Sequence, residues 1–420
     1  MERMGTMGRM GTMGRMGTMG RMGTMGRMGT MGTTGTMGTT GTTSSRPTAA
    51  GVSAFRLRGH GLSPRAPRGS LVDVAGRVCG IQAQFLPMAR LALWARVEGL
   101  APVDVDRALF RERTLVRTWA MRGTLHLLPT AELPIYIGAL REHRLQGNLK
   151  WLERSMGLRP EDVGPIVDAI LEALAEGPLT REELADRVAG RLGPRVRPSV
   201  EHAWGGVIRV ACVEGYVCYG PDRGRSPTFT RCDRWLRPGG GFAPEEARDA
   251  LLRRYLHAYG PATPRDFATW TGLPAGVAKA AFGRAGGDIA EVEACGKGAS
   301  ALREDLPALR APHRRGRPRV DLLPSFDPFL LGHRDKGHLV DAVRYKRVYR
   351  KAGWLSPVVL VDGRCAGVWS HRRAGKGVAV TVEPFGRMGR AVRAGIEGEA
   401  VRLGRFLGGK VEVAYVAEGA

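Results

Sequence analysis

Residues 79–85, Cys-Gly-Ile-Gln-Ala-Gln-Phe, set two amide side chains, Gln82 and Gln84, one residue apart inside an otherwise apolar stretch. An amide buried without a hydrogen-bond partner costs free energy. The pair is therefore either a set of polar residues at a helix end, facing solvent, or a pair that faces a ligand. A second group with chemical potential, Arg117, Arg122 and His126, alternates along a segment that reads as a hairpin. Such side chains could grip phosphates, or could be solvated cations on a surface hairpin. Metal chemistry finds less support. The six cysteines, at 79, 212, 218, 232, 295 and 365, form no C-x-x-C pair, and the spacings of Cys212, Cys218 and Cys232 from His202 are irregular for a zinc finger or ribbon. No G-x-x-x-x-G-K-[ST] loop is present to cradle a nucleotide. The expectation is a protein with no metal and no cofactor.

The elements around these residues follow from periodicity. Residues 73–100 carry apolar side chains at helical spacing, interrupted at Pro87, and predict two helices with a break between them. Leu115 to Leu128 alternates β-branched and apolar residues around Arg122-Gly123, which predicts a hairpin, and Thr130 then opens a helix as its N-cap. Residues 163–192 read as helix, Gly-Pro break, then Thr180 with Glu183 three residues on, the pattern of a capping box. A longer helix and a basic hairpin follow. The stretch GPATPRDFA at 260–268 matches GPLTREELA at 177–185, so the unit repeats. Three helices and a basic hairpin make a winged helix, and the hairpin near 115–128 makes a third copy plausible. Beyond residue 310 two β runs joined at Asp362-Gly363 give the strongest hairpin signal in the chain, within a small β-rich domain.

The predicted fold class is α+β, with three tandem winged-helix units followed by a small β-barrel-like C-terminal domain. Its parts are a disordered Met/Gly/Thr repeat tail over 1–50, winged-helix units over 51–150, 151–240 and 241–310, and the β-rich domain over 311–420. The tail, MGTMGRMGTMGR decaying into TTGTMGTTGTT, repeats glycine every third residue but lacks the proline that a collagen strand needs.

Composition narrows the partner. Lys and Arg together number 64 against 40 Asp and Glu, a net charge of +24. Only eight of the 64 are lysines. Arginine binds phosphate bidentately and stacks on bases, so nucleic acid is the first partner to consider. GC-rich codons also enrich arginine, glycine and alanine, so part of the bias is genomic in origin. No apolar run reaches membrane-spanning length and no signal-peptide core is visible. The scattered cysteines suit a reducing compartment. The expectation is a soluble, cytoplasmic, nucleoid-associated monomer that does not engage a membrane.

Three stretches taken together carry a resemblance: GIQAQ at 80–84, LVRTWAMRGTLHLLP at 115–129 and LLPSFDPFLLGHRD at 322–335. They resemble the winged-helix DNA glycosylases of the AlkZ and YcaQ type, and the likeness spans residues 52–420. What it implies is three tandem winged helices in a C shape, with excision of alkylated purines from double-stranded DNA or unhooking of interstrand crosslinks. The family's catalytic Gln-x-Gln falls on Gln82 and Gln84, and His333, Arg334 and Lys336 fall in the third motif as groove-lining residues. A purine alkylated at N7 is cationic and leaves readily, so the enzyme needs a positioned water and stabilisation of an oxocarbenium-like transition state more than a strong acid or base. An amide suits that task. On a helix, though, residues i and i+2 diverge by about 200°, so either one glutamine scaffolds the other or the backbone is irregular at Gly80. No lysine signals a Schiff base, so the implied enzyme is a monofunctional glycosylase. The competing reading is a non-enzymatic winged-helix protein, a transcription regulator or an adduct-binding self-resistance protein.

Overall fold

The computed structural model describes residues 46–294, 296–311 and 316–416. The repeat over 4–45, expected to be disordered, lies outside the described residues. The folded body begins earlier than Gly51: Thr48 caps α1 (Ala49–Gly59) by accepting from the Gly51 N–H at 3.0 Å, and Val52 and Phe55 are buried.

One order of elements then occurs three times. After α1 come α2 (Leu71–Arg77), β1 (Ile81–Gln82), α3 (Leu86–Trp94), α4 (Pro102–Asp106), β2 (Leu115–Trp119) and β3 (Leu125–Pro129), with β1, β3 and β2 forming one antiparallel sheet in that order. The long α5 (Leu133–Met156) leads to α6 (Pro160–Ala173), β4 (Leu179–Thr180), α7 (Arg181–Leu192), α8 (Arg197–Glu201), α9 (Gly206–Val213), β5 (Val217–Tyr219) and β6 (Thr228–Arg231), paired as β4-β6-β5. Past the short α10 (Cys232–Trp235), the third round has α11 (Pro244–Tyr259), α12 (Pro264–Thr271), α13 (Ala275–Ala285), β7 (Ile289–Ala294) and β8 (Lys297–Leu302). Here the short first strand is reduced to a single bridge, Ala262 to Ser300.

The capping boxes read from sequence start α7 and α12. Thr180 Oγ1 accepts from Glu183 N–H at 3.3 Å and the Glu183 carboxylate accepts from Thr180 N–H at 2.8 Å; Thr263 and Asp266 do the same at 3.2 and 3.0 Å. Such a cap contributes about 1 kcal/mol. Thr130 does not cap α5. Its hydroxyl donates instead to the Arg113 carbonyl at 2.6 Å, and a turn of 3₁₀ helix over Thr130–Glu132 precedes α5.

Two further expectations change. The break in the helical pattern of 73–100 is not at Pro87, which sits in the first turn of α3, where its missing N–H costs nothing. The break is the strand that carries Gln82. Among the described residues the C-terminal region also forms no closed barrel. Following α14 (Leu306–Arg310), strands β9 (Val320–Leu323), β10 (Val358–Val361), β11 (Arg364–Ala374), β12 (Gly377–Pro384) and β13 (Val411–Tyr415) form an open sheet ordered β13-β12-β11-β10-β9. Helices α15 (Pro328–Leu331) and α16 (Tyr345–Val348) interrupt it, and α17 (Arg390–Leu407) makes the crossover that a parallel β12–β13 pair requires. Ile396, Ala400, Leu403 and Phe406 of that helix are buried against the sheet, so it is covered on a face rather than closed on itself. The Asp362-Gly363 turn does join β10 to β11, with both residues at positive φ.

The cores do not follow the domain divisions. The first unit and the C-terminal sheet share one core, in which Ile81, Leu91, Leu93 and Trp94 join Leu322, Val358 and Leu403. The β2–β3 hairpin reaches all three large cores. Leu115 and Leu127 lie in this first one. Val116, Met121 and Leu128 join α5 and the third unit, and Trp119 and Leu125 join the second unit. The hairpin next to the glutamine pair is therefore the piece on which the other units are assembled.

Candidate active site

The approach to the glutamines is set by glycine. Gly80 has φ +93°, and a Cβ there would lie 2.6 Å from Leu128 Cδ2, so only glycine lets the chain turn out of α2 and lie against β3. The segment beyond is extended: Ile81 pairs with Leu127, Gln82 with His126, and Ala83 N–H donates to the Leu125 carbonyl at 2.7 Å. Side chains alternate along an extended strand. Ile81 and Ala83 are fully buried and Gln82 nearly so, and beyond the strand the chain bends at Gln84, which is more open. The divergence a helix would impose does not arise.

The repeated architecture shows how unusual this stretch is. In the second unit β4 ends at Thr180 and α7 starts at the next residue. In the first unit β1 ends at Gln82 and α3 starts only at Leu86. Gln82 thus occupies the place of a capping threonine, and Ala83-Gln84-Phe85 is extra chain that carries the second amide away from the helix.

Each amide has a defined orientation. Arg122 Nη2 donates to Gln82 Oε1 at 3.0 Å, and because a guanidinium only donates, the oxygen must be the atom that faces it. Gln84 Oε1 accepts a longer bond, 3.4 Å, from Leu125 N–H. Among the described residues neither Nε2 makes a hydrogen bond. Gln82 is 8% exposed, and Gln84 is more open. Arg117 supports the loop from behind, donating to the Ala83 carbonyl at 3.1 Å and to that of Gln84 at 3.4 Å, with its guanidinium 4.6 Å from the centre of the Tyr219 ring. Arg122 sits at φ +54° in the hairpin turn and donates to the Trp270 carbonyl at 2.7 Å, so the third unit is tied to the amide. Burial lowers its pKa to about 10. His126 is buried, with Nδ1 3.0 Å from the Thr124 carbonyl. Burial, and then the charge of Arg122, push its pKa down to about 3, leaving a neutral ring beside Gln82.

The third motif is placed differently. His333 is buried, its Nε2 2.9 Å from Arg56 Nη2, and burial holds it well below the ordinary histidine range. Lys336 donates to the Leu330 carbonyl at 2.9 Å and to that of His333, and burial followed by the charge of Arg122 brings its pKa to about 7. Arg334 alone of the three has an exposed side chain, while its backbone N–H donates to Asp266 at 2.9 Å. The motif's Asp327 takes both Nη atoms of buried Arg96 at 2.7 and 2.8 Å, which fastens it to the first unit.

Several neighbours are not legible in the motifs. Phe85, 39% exposed, lies 6.2 Å from the Phe326 ring and 5.7 Å from that of Trp354, itself 45% exposed, giving an aromatic cluster directly after Gln84. Arg144 and Arg209 approach the other side of the hairpin turn; in a chain with so many arginines, no local signal separates those paired with carboxylates from those that are not. Phe85 adjoins Gln84 in sequence, but its ring partners are more than 200 residues away. Among the described residues no group of three His, Cys, Asp or Glu is arranged to hold a metal, and no helix is long and apolar enough to cross a membrane.

Comparison with known proteins identifies the family. Residues 75–406 match the family model described as DNA glycosylase AlkZ-like. The chain is 34% identical, over 85% of its length and 96% of the relative's, to an interstrand DNA cross-link repair glycosylase of Streptomyces sahachiroi. The solved structure of the Streptomyces sahachiroi DNA glycosylase AlkZ matches with a TM-score of 0.76 and 32% identity, over 89% of this chain and all of that one. The extended glutamine pair and its hairpin thus lie inside a matched region that covers most of the protein, and the chain belongs to the AlkZ-like DNA glycosylase family.

Proposed function

We propose that this protein hydrolyses the N-glycosidic bond of N7-alkylated purines in double-stranded DNA, including purines joined in interstrand crosslinks, and that it does so as a monomer in the cytoplasm, at the nucleoid. We read the threefold order of helix, short strand, two helices and hairpin as three tandem winged helices. The observation that carries the mechanism is the placement of both glutamine amides on a non-helical segment beside β3, each oxygen turned to a fixed donor. A carbonyl oxygen has a second lone pair. In Gln84, held by the longer bond, that lone pair accepts from a water and aims its oxygen at the anomeric carbon. Gln82, locked by Arg122, fixes the position of the segment.

In the reaction the C1′–N9 bond breaks and its electron pair returns to the cationic purine, which departs neutral. The water oxygen bonds to C1′, and the water proton passes to solvent. The sugar's developing positive charge meets the amide carbonyl dipoles and a neutral His126, while the Arg122 guanidinium is held on Gln82 Oε1. No lysine attacks the sugar, and the product strand stays unbroken. A regulator that only binds DNA would not need the extra chain between β1 and α3.

Single-turnover release of 7-methylguanine from duplex DNA tests this reading. Gln84→Ala should slow release by about 100-fold or more, Gln82→Ala by a comparable factor, and the double variant by less than the product, because the pair works as a unit. Melting temperatures should stay close to wild type. Full activity in all three variants would remove the mechanism, and unfolding of any one would return the pair to a scaffolding role.

A further inference from the structure

Three arginines meet around the β2–β3 turn, and among the described residues no carboxylate pairs with them. Arg122 comes from the hairpin, Arg144 from α5 and Arg209 from α9. Ion pairs are abundant elsewhere: Arg284 with Asp249, Arg231 with Asp233, Arg65 with Asp321 and Glu399. Among the described residues these three have only neutral hydrogen-bond partners. Arg144 donates to the Thr271 carbonyl, Arg122 to the Trp270 carbonyl and to Gln82, and Arg209 Nε is buried with no partner.

Their approach is close. A Cβ at Gly123, φ +67°, would lie 2.2 Å from Arg209 Nη2 and 3.7 Å from Arg144 Nη1; one at Gly272, φ +74°, would lie 2.4 Å from Arg144 Nη2 and 3.3 Å from the Arg122 Cα. Two bare glycines at positive φ are what allow guanidiniums from separate units to converge. Burial, then Arg209 and Arg122, bring the Arg144 pKa down to about 10, so the like charges oppose each other in the free protein. Cations held together and partly desolvated without an anion weaken a fold unless a ligand supplies the charge.

We propose that Arg144 and Arg209, together with Arg122, form a clamp for a backbone phosphodiester of the lesion-bearing strand. The assignment rests on the glycosylase reading above, which puts DNA beside the same hairpin. Arginine suits the task because its planar fork engages two phosphate oxygens at once. Since Arg122 also holds Gln82, an occupied clamp would fix the sugar–phosphate chain against the amide pair.

Arg144→Gln, Arg209→Gln and the double variant provide the test, with binding to lesion DNA measured by anisotropy across a salt series. Each lost phosphate contact should flatten the slope of log K against log salt by about 0.9. The double variant without DNA should melt at or above the wild-type temperature, since repulsion is relieved. Single methylphosphonate linkages placed around the lesion should weaken wild-type binding at one or two positions and leave the double variant insensitive there. An unchanged slope overturns the clamp, and so does a large fall in melting temperature, which would make the cluster structural. If no methylphosphonate matters while inorganic phosphate raises the wild-type melting temperature, the site takes a free anion and the DNA assignment fails. Free-base release by wild type is scored separately: release with an unchanged slope sinks only the clamp, whereas a flattened slope without release sinks only the glycosylase reading.

Discussion

Lys336 illustrates how a residue beside the candidate site acts through its protonation. Burial, and then the charge of Arg122, lower its pKa from 10.5 to about 7. Between those two values the unfolded chain holds the proton more tightly than the folded protein does, so this group makes stability rise with pH, and the full penalty of burying the cation stands below about pH 7. Lys336→Met removes the titration while keeping the length of the side chain. The stability of the variant relative to wild type should therefore be most favourable near pH 7 and should fall steadily towards about pH 10. A difference that stays flat with pH would mean that the ammonium is well solvated. The same residue shows what a sequence can and cannot yield. Gln82 and Gln84 are legible as a pair because amides in an apolar stretch are conspicuous. Lys336 and His333 sit in a motif that marks them as important, yet nothing local says that His333 is buried against Arg56 or that Lys336 faces backbone carbonyls. Those facts depend on chain segments far away in sequence.

At the level of elements, the short strand β1 decides how the amides are presented. Apolar residues on both sides of it fit a helix equally well, and a two-residue strand is below the length at which alternation can be recognised. The signal that existed was Gly80. Its φ of +93° and the 2.6 Å approach to Leu128 leave no room for a side chain, so Gly80→Ala should strain the turn and push β1 off β3. Stability should drop by about 1–3 kcal/mol, and base release should fall with it, because both amides move together. That joint loss separates Gly80→Ala from Gln84→Ala, for which release falls and stability does not. Normal activity with a lowered melting temperature would show that the amides do not depend on this turn. The helices with capping boxes and the three hairpins were legible because their signals are local. The open C-terminal sheet was not, because whether a sheet closes depends on how α17 packs on it.

Across the whole molecule, the first unit and the C-terminal sheet behave as one body. Besides their common core, Arg65 reaches Asp321 and Glu399 at 2.9 and 2.7 Å, Arg402 donates to the Trp94 carbonyl at 3.2 Å, and Arg96 and Asp327 form a fully buried bidentate pair. Sequence division at residues 150 and 310 separates these partners because a linear reading has no means of seeing a core assembled from both ends of the chain. The buried pair offers the sharpest test. Taking away Asp327 leaves the Arg96 guanidinium without its carboxylate in a site that water does not reach, a situation that costs about 3–5 kcal/mol. It also removes the acceptor for the Phe329 N–H, 2.9 Å from Asp327 Oδ1. Asp327→Ala should therefore lose at least that much stability. If the two regions share one core, amide exchange should speed up together in α2 and α3 on one side and in β10, β11 and β12 on the other. Faster exchange confined to the C-terminal sheet, with α2 and α3 unchanged, would show two independent domains joined by a surface contact. The glutamine pair would then owe its geometry to the hairpin alone, and the third motif would have no part in holding the site.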